Sequence, residues 1–324
     1  MTHCVTRPLD RERTRVRKRG AAYGLFDLGG RVIGPMLRSS MYSAVLAAGL
    51  YFPVGPAAAA CDRFTPFGEP ISSNLLEDVG VAAAPDRIVI CHTGQVVAFN
   101  PERNVSDWVA YRLRREDLLN QKVERKDRFR ADLQVPEQHR VVHSDYTRTG
   151  YDRGHLAPAA AMRWSFDAMN DSFFMTNIAP QVGSGFNQHI WKSLERRMRQ
   201  WACQRGVLYV VTGPLYERTP VERIAYDEDG DGKDDNGILV DVPTHFFKFA
   251  YDPHSVEAIA FILPNRKLKT RDLPLYLTSI DDIEARSRLE FLTGIWDGAE
   301  RTVESHVQGA LWRKPDDDVC RKLQ

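Results

Sequence analysis

Between residues 87 and 113 short apolar runs alternate with polar breaks: RIVICH at 87–92, QVVAFN at 95–100 and DWVAYRL at 107–113. Runs of this length, rich in Val, Ile and aromatic residues and separated by turn residues such as Thr93-Gly94, predict β-strands. SFFMTNIAP (172–180), GVLYVVTGP (206–214), THFFKFAYD (244–252) and VEAIAFILP (256–264) read the same way, the last two as a hairpin around Pro253-His254. The period changes in NQHIWKSLERRMRQW (187–201). There Ile190, Trp191, Leu194, Met198 and Trp201 recur at helical spacing, which predicts an amphipathic helix with a basic outer face. SIDDIEARSRLEFLTGI (279–295) opens with Ser279 as N-cap followed by two acids, the start of another helix. Residues 62–86 read as an extended lead-in and the charge-dense stretch 114–150 as loop with one short helix. No repeat or long low-complexity linker interrupts residues 61–324, so the pattern predicts one α+β domain there.

The first sixty residues are organised differently. MLRSSMYSAVLAAGLYFPVGPAAAAC (36–61) carries a basic residue, an apolar run from Met41 to Phe52, a Pro/Gly break and a row of alanines. That layout predicts a secretory signal peptide cleaved near Ala58–Ala60, and so a secreted or periplasmic protein whose translation starts at Met1, Met36 or Met41. Two other readings stay open. AAAAC also fits a degenerate lipoprotein box, which would anchor the chain to a membrane through Cys61. The arginines at 7–19 fit a mitochondrial presequence, although three acids and the apolar run weigh against it. Residues 1–60 hold nine basic and three acidic residues of a chain whose net charge is +1, so the remainder is mildly acidic. Nucleic-acid binding would then need a local basic patch. After cleavage four cysteines remain, Cys61, Cys91, Cys203 and Cys320, which allow three pairings. Cys61–Cys91 is favoured because it would tie the new N-terminus to the first strand; free buried thiols are the other reading.

The candidate chemistry begins at YDRGHLAP (151–158). Hydrolysis of a phosphodiester needs a base for water, positive charge on the crowded phosphate and help for the departing oxygen. His155 is a base near neutrality, and Arg153 is a fork of donors for phosphate oxygens. Asp152 or a carbonyl would orient the imidazole, and Gly154 would permit a tight turn. Asn187, at the start of the helix, offers an oxygen to a hard cation such as Mg²⁺, completed by water and substrate phosphate. Glu195 lies about 12 Å further along the helix axis, placed to hold a metal-bound water. Taken singly these parts are also those of a polar turn and a helix cap.

In combination, DRGHLAP (152–158), NIAPQ (177–181) and FNQHIWKSLE (186–195) resemble the DNA/RNA non-specific endonucleases, the ββα-metal, endonuclease G-like nucleases. The likeness extends through DWVAYRL, VLYVVTGP, VPTHFFKFAY (242–251) and SIDDIE, over about residues 88–300. It implies a ββα-metal core on a mixed, mostly antiparallel sheet with flanking helices, and hydrolysis of DNA and RNA that leaves 5′-phosphates. By the same resemblance His155 is the general base, Arg153 a phosphate contact, Asn187 the protein ligand of Mg²⁺ (with Mn²⁺ as substitute), Glu195 the acid on metal-bound water and Asn177 a site-lining residue. A further family arginine falls in KDRFRAD (126–132), where Arg128 and Arg130 compete and Arg130 is preferred. No small-molecule cofactor is implied; a homodimer stays open.

DEDGDGKDDNG (227–237) places Asp227, Asp229, Asp231 and Asp235 around Gly232 at calcium-loop spacing. Position twelve is Ile238 where an EF-hand has Glu, so an acidic hairpin insertion is the competing reading. The rival to the enzyme is a catalytically silent exported protein of the same fold that binds nucleic acid or calcium. A toxin would need a delivery module or an immunity partner.

Overall fold

Seven strands pair side by side into one antiparallel sheet, and continuous apolar runs such as VVAF (96–99) and AIAFIL (258–263) give it two apolar faces to be covered. The computed structural model describes residues 61–73, 87–226 and 236–323. The signal-peptide reading of residues 1–60 and the calcium ligands Asp227, Asp229, Asp231 and Asp235 lie outside the described residues. In chain order the strands are β1 (Ile71–Ser72), β2 (Ile88–Cys91), β3 (Gln95–Asn100), β4 (Val105–Arg114), β5 (Tyr151–His155), β6 (Ile178–Val182), β7 (Val207–Leu215), β8 (Arg223–Tyr226), β9 (Asn236–Asp241), β10 (His245–Asp252), β11 (Glu257–Pro264), β12 (Leu277–Thr278) and β13 (Leu289–Glu290). The helices are α1 (Arg115–Leu119), α2 (Phe166–Asp171), α3 (Lys192–Arg205), α4 (Ile280–Ser287), α5 (Asp297–Glu304) and α6 (Asp318–Arg321). The main sheet runs β12-β11-β10-β7-β4-β3-β2.

Side chains along a strand point alternately to opposite faces. On one face Val97, Phe99, Val109, Tyr111, Val210 and Phe246 pack with Leu194, Met198 and Trp201 of α3. On the other, Val96, Ala98, Trp108, Phe247 and Phe249 pack with Ile280 and Ile283 of α4 and with Val303 of α5. With both faces covered, all six residues of β3 are buried. The two-stranded ribbon β5–β6 lies on the α3 side, and with α3 it makes the ββα unit. Among the described residues no helix is long and apolar enough to cross a membrane.

Three predicted elements come out differently. In 172–180 the strand starts only at Ile178, because Met175–Asn177 form a tight helical turn whose Asn177 side chain bonds the Ser172 carbonyl at 2.8 Å. The helix predicted from 187 becomes regular only at Lys192. Its approach, Gly183–Trp191, is wide-turned and broken at Ser184 and at Gly185, whose φ is +89°. A side chain at Gly185 would also collide with Lys267. The helix predicted over 279–295 ends at Ser287; Arg288 turns left-handed (φ +58°), and Leu289–Glu290 then pair with Ser72 and Ile71. Its start is as expected, with the Ser279 hydroxyl accepting from the Asp282 N–H at 3.0 Å.

Cys61 pairs with Cys91, tying residue 61 to the end of β2, and Cys203 pairs with Cys320, joining α3 to α6.

Candidate active site

Strands β5 and β6 lie antiparallel with Arg153 opposite Pro180, Gly154 opposite Ala179 and His155 opposite Ile178. Gly154 therefore sits in a strand, not in the tight turn expected of it. Its role is room: a Cβ there would lie 2.2 Å from the Gln181 side chain. Just past the strand, Asn177 clamps the chain. Its Oδ1 accepts from the Ala157 N–H at 2.9 Å, and its Nδ2 donates to the carbonyls of Ala157 (2.9 Å) and Ser172 (2.8 Å). The indole of Trp191 donates to the His155 carbonyl at 3.2 Å. These bonds hold the backbone at His155 and two residues beyond it. Asn177 is wholly buried and works behind the site, where the resemblance had implied a lining residue.

His155, Arg153, Asn187 and Glu195 converge on one cavity of about 600 Å³. They come from β5, the approach to α3, and α3 itself, so the ββα unit is what assembles them. The same cavity is lined by Arg125, Arg163, Lys192 and Arg199, and it joins at Arg153 and Asn187 a neighbouring cleft of about 420 Å³ walled by Phe129 and Tyr151. Such a concentration of cations in a protein of near-zero net charge is the local patch that an anionic polymer requires.

The His155 ring packs between Phe173 (ring centroids 5.0 Å apart) and Phe129 (5.5 Å). Its Nε2 is shielded from solvent and has no hydrogen-bond partner. Burial, reinforced by the nearby Arg125 charge, holds the imidazole down to about 3. The ring is thus neutral, with an uncommitted nitrogen. Arg153 lays its guanidinium 5.0 Å from the centre of the Phe129 ring and donates to the His143 carbonyl at 3.3 Å.

Asp152 does not touch the imidazole. Its Oδ2 accepts from Asn187 Nδ2 at 2.8 Å and from Gln188 Nε2 at 2.9 Å. A carboxylate can only accept, so the amide nitrogen of Asn187 faces Asp152 and the amide oxygen is left for the cavity.

Behind Glu195 lies a group of buried charges that reading the sequence had missed. Lys248 of β10 is completely buried; its Nζ donates to the Leu156 carbonyl at 2.9 Å and sits 4.6 Å from the centre of the Trp191 ring. Burial pushes this ammonium down to about 7, with Glu195 opposing the shift. Burial raises the Glu195 carboxyl, and Lys248, Arg199, Arg125 and Lys192 pull it back. The signal was present in THFFKFAYD, where a lysine stands between phenylalanines in an apolar strand.

Of the upstream arginines, Arg125 reaches the cavity and Arg130 does not. Arg130 Nη1 donates to the Asn170 carbonyl at 2.6 Å, and its guanidinium stacks 3.8 Å from the Phe174 ring centre. Ion pairing and stacking to the α2 region account for it. His189 accepts from the Gly185 N–H at 3.0 Å and so helps shape the approach to α3.

The donors suit a hard divalent cation. Asn187 offers a neutral amide oxygen and Glu195 a carboxylate on the same wall, with no thiolate and with an imidazole already enclosed by aromatic rings. Mg²⁺ prefers such sparse oxygen ligation, completed by water and phosphate.

Residues 72–297 match the DNA/RNA non-specific endonuclease family. The chain is 35% identical over 212 residues to the mitochondrial nuclease of Saccharomyces cerevisiae, covering 61% of this chain and 63% of that protein, a little under two thirds of its length. It is 36% identical over 206 residues to human mitochondrial endonuclease G, covering 62% of this chain and 68% of that protein. With the Bos taurus endonuclease G it shares 33% over 270 residues, 81% of this chain and 84% of that one. Among solved structures, a crystal structure of an EndoG/EndoGI complex aligns with a TM-score of 0.58 at 26% identity, covering 72% of this chain and 92% of that chain.

Proposed function

This chain belongs to the DNA/RNA non-specific endonuclease family, and from that premise we propose that it is a Mg²⁺-dependent endonuclease hydrolysing phosphodiester bonds of DNA and RNA to 5′-phosphates. The observation that carries the reading is the convergence of His155, Arg153, Asn187 and Glu195 on one cation-lined cavity. It favours catalysis over the silent binding protein, which needs the basic wall but not a buried, uncommitted imidazole.

The His155 imidazole takes the proton of the attacking water as its oxygen bonds to phosphorus, and the P–O3′ bond breaks on the opposite side, the departing 3′-oxygen taking a proton from solvent. The neutral ring is ready for this at any physiological pH, and the phosphate charge beside it raises its proton affinity when substrate is bound. Arg153 and Arg125 hold non-bridging oxygens whose charge grows in the transition state. Asp152 fixes the Asn187 amide with its oxygen forward, and Glu195 accepts hydrogen bonds from ordered water. Asn187 would hold the Mg²⁺, which when bound supplies Lewis-acid stabilisation of the developing charge. Contacts of this kind grip phosphate and carry no base information, consistent with indifference to sequence.

The two disulfides support an oxidising compartment, in agreement with the exported reading of residues 36–61. The mitochondrial location in the names of several relatives favours the presequence reading as the second choice.

The test is degradation of plasmid DNA and of RNA in Mg²⁺, in Ca²⁺ and in EDTA, with His155→Ala alongside. Cleavage of both polymers in Mg²⁺, abolished by EDTA and reduced about 10²- to 10⁴-fold in the variant, is expected. A folded wild type that cuts neither polymer would return the protein to the binding class.

A further inference from the structure

On the face of the sheet away from the cleft, α4 and α5 bring three acids together. One carboxylate oxygen each from Asp281, Glu284 and Glu304 lies within 4.8 Å of the other two. An acidic cluster is often only a solvated patch, and Asp281 by itself is an ordinary first-turn acid on α4. Glu304 is different. It is 7% exposed, and its Oε1 is shielded from solvent and has no hydrogen-bond partner. The charges acting on it are Glu284, Glu300, Asp281 and Glu290, every one an acid. Burial and those neighbouring acids raise this carboxyl to about 9, because ionising it while it stays unpaired beside like charges is costly.

The neighbouring acids are not otherwise occupied in a way that would relieve it. Glu284 accepts from the Phe291 N–H at 2.7 Å through Oε1, which leaves its second oxygen. Asp281 is exposed while Glu304 is buried, so the group is open to solvent on one side and closed on the other. This is the access an ion needs.

We propose that Asp281, Glu284 and Glu304 form a Ca²⁺ site that fastens α5 to α4, separate from the catalytic cavity. Ca²⁺ bonds oxygen at about 2.3–2.6 Å and tolerates irregular spheres of six to eight ligands. Oxygens within 4.8 Å of one another can therefore share one ion, with water filling the exposed positions. Three carboxylates supply the charge that a dication balances, and the ion would answer the orphaned Glu304 oxygen. Because Ile283 of α4 and Val303 of α5 pack in the core cluster on this face, the expected role is structural.

The protein also offers Asn187 in the cleft and the acidic sequence 227–235 to divalent ions, so the experiment must separate three locations. Calcium binding is measured by titration calorimetry and by the unfolding midpoint in Ca²⁺ and in EDTA, for wild type, Glu304→Gln, Glu284→Gln and the paired Asp229→Asn/Asp231→Asn change. Either glutamine variant is expected to lose one equivalent of bound Ca²⁺ and the Ca²⁺-dependent rise in midpoint. In EDTA, Glu304→Gln should melt no lower than wild type, since the amide keeps the shape and removes repulsion. Mg²⁺-dependent cleavage, assayed below both midpoints, should stay at the wild-type level. Wild type that binds no Ca²⁺ outside the cleft, or glutamine variants that keep the wild-type stoichiometry and midpoint rise, would overturn the site. The nuclease reading survives either result, because none of these acids lines the cavity.

Discussion

Asp152 accepts a hydrogen bond from Asn187 at 2.8 Å across 35 positions of sequence. Strand β5 thereby sets the amide of a residue on the approach to α3. It gives the acid of the DRGH stretch a purpose different from orienting the imidazole next to it.

Asp152→Ala should release that amide. Groups that orient a metal ligand are commonly worth 10- to 100-fold in metal affinity or activity. Activity measured against Mg²⁺ concentration should show a raised requirement by about that factor, partly rescued at high Mg²⁺. An unchanged Mg²⁺ curve would mean that Asn187 keeps its orientation without Asp152.

Arg125 and Arg130 should separate cleanly. Arg125→Ala removes a cavity cation and should lower kcat/KM by about tenfold or more, in line with loss of a charged hydrogen bond worth about 1.5–3 kcal/mol. Arg130→Ala breaks the ties to Asn170 and Phe174, so its effect should fall on the unfolding midpoint. Steady-state kinetics with thermal unfolding on both variants distinguishes the two roles.

His155 should also be visible in stability. Its folded value near 3 lies below the 6.5 of an ordinary imidazole, so between those values the unfolded chain binds the extra proton. Stability from this group is complete above about pH 6.5 and is lost as pH falls toward 3. His155→Gln should therefore show a flatter acid limb of unfolding midpoint against pH in EDTA. Parallel limbs in the two proteins would contradict the burial of the ring.

Asn177→Ala should destabilise the domain by about 3 kcal/mol, since it leaves the buried Ala157 N–H and two carbonyls without this partner. For a domain of this size that is roughly a 6–12 °C drop in unfolding midpoint. Cleavage at low temperature should suffer less than stability does, which sets this residue apart from His155.

Breaking Cys203–Cys320 opens a sequence separation of 117 residues. Loops near this length are worth about 4–5 kcal/mol in the chain-entropy account. Cys320→Ser should lower the midpoint well below that of wild type, and dithiothreitol should bring wild type toward the variant. Equal midpoints with and without reductant would show that the link adds nothing.

The short apolar run QVVAFN foretold β3 residue for residue, and the ordered DRGH, NIAPQ and FNQHIW stretches announced the family. The helical spacing of Ile190, Leu194 and Met198 likewise announced the helix that carries Glu195. These features are local: a repeat of two or 3.6 residues states which face is buried, and a short motif states which side chains share one turn or strand. Folding supplied the partners. Strand order put Lys248 against the Leu156 carbonyl, 92 positions away, and the β5–β6 ribbon put Asp152 beside Asn187. The packing of 114–150 brought Arg125 to the cavity and left Arg130 on Phe174. The convergence of Asp281, Glu284 and Glu304 depends on how two helices cross, which neither helix encodes in its own period. Periodicity can specify a buried face, but which atoms meet there is settled by packing between elements distant in the chain.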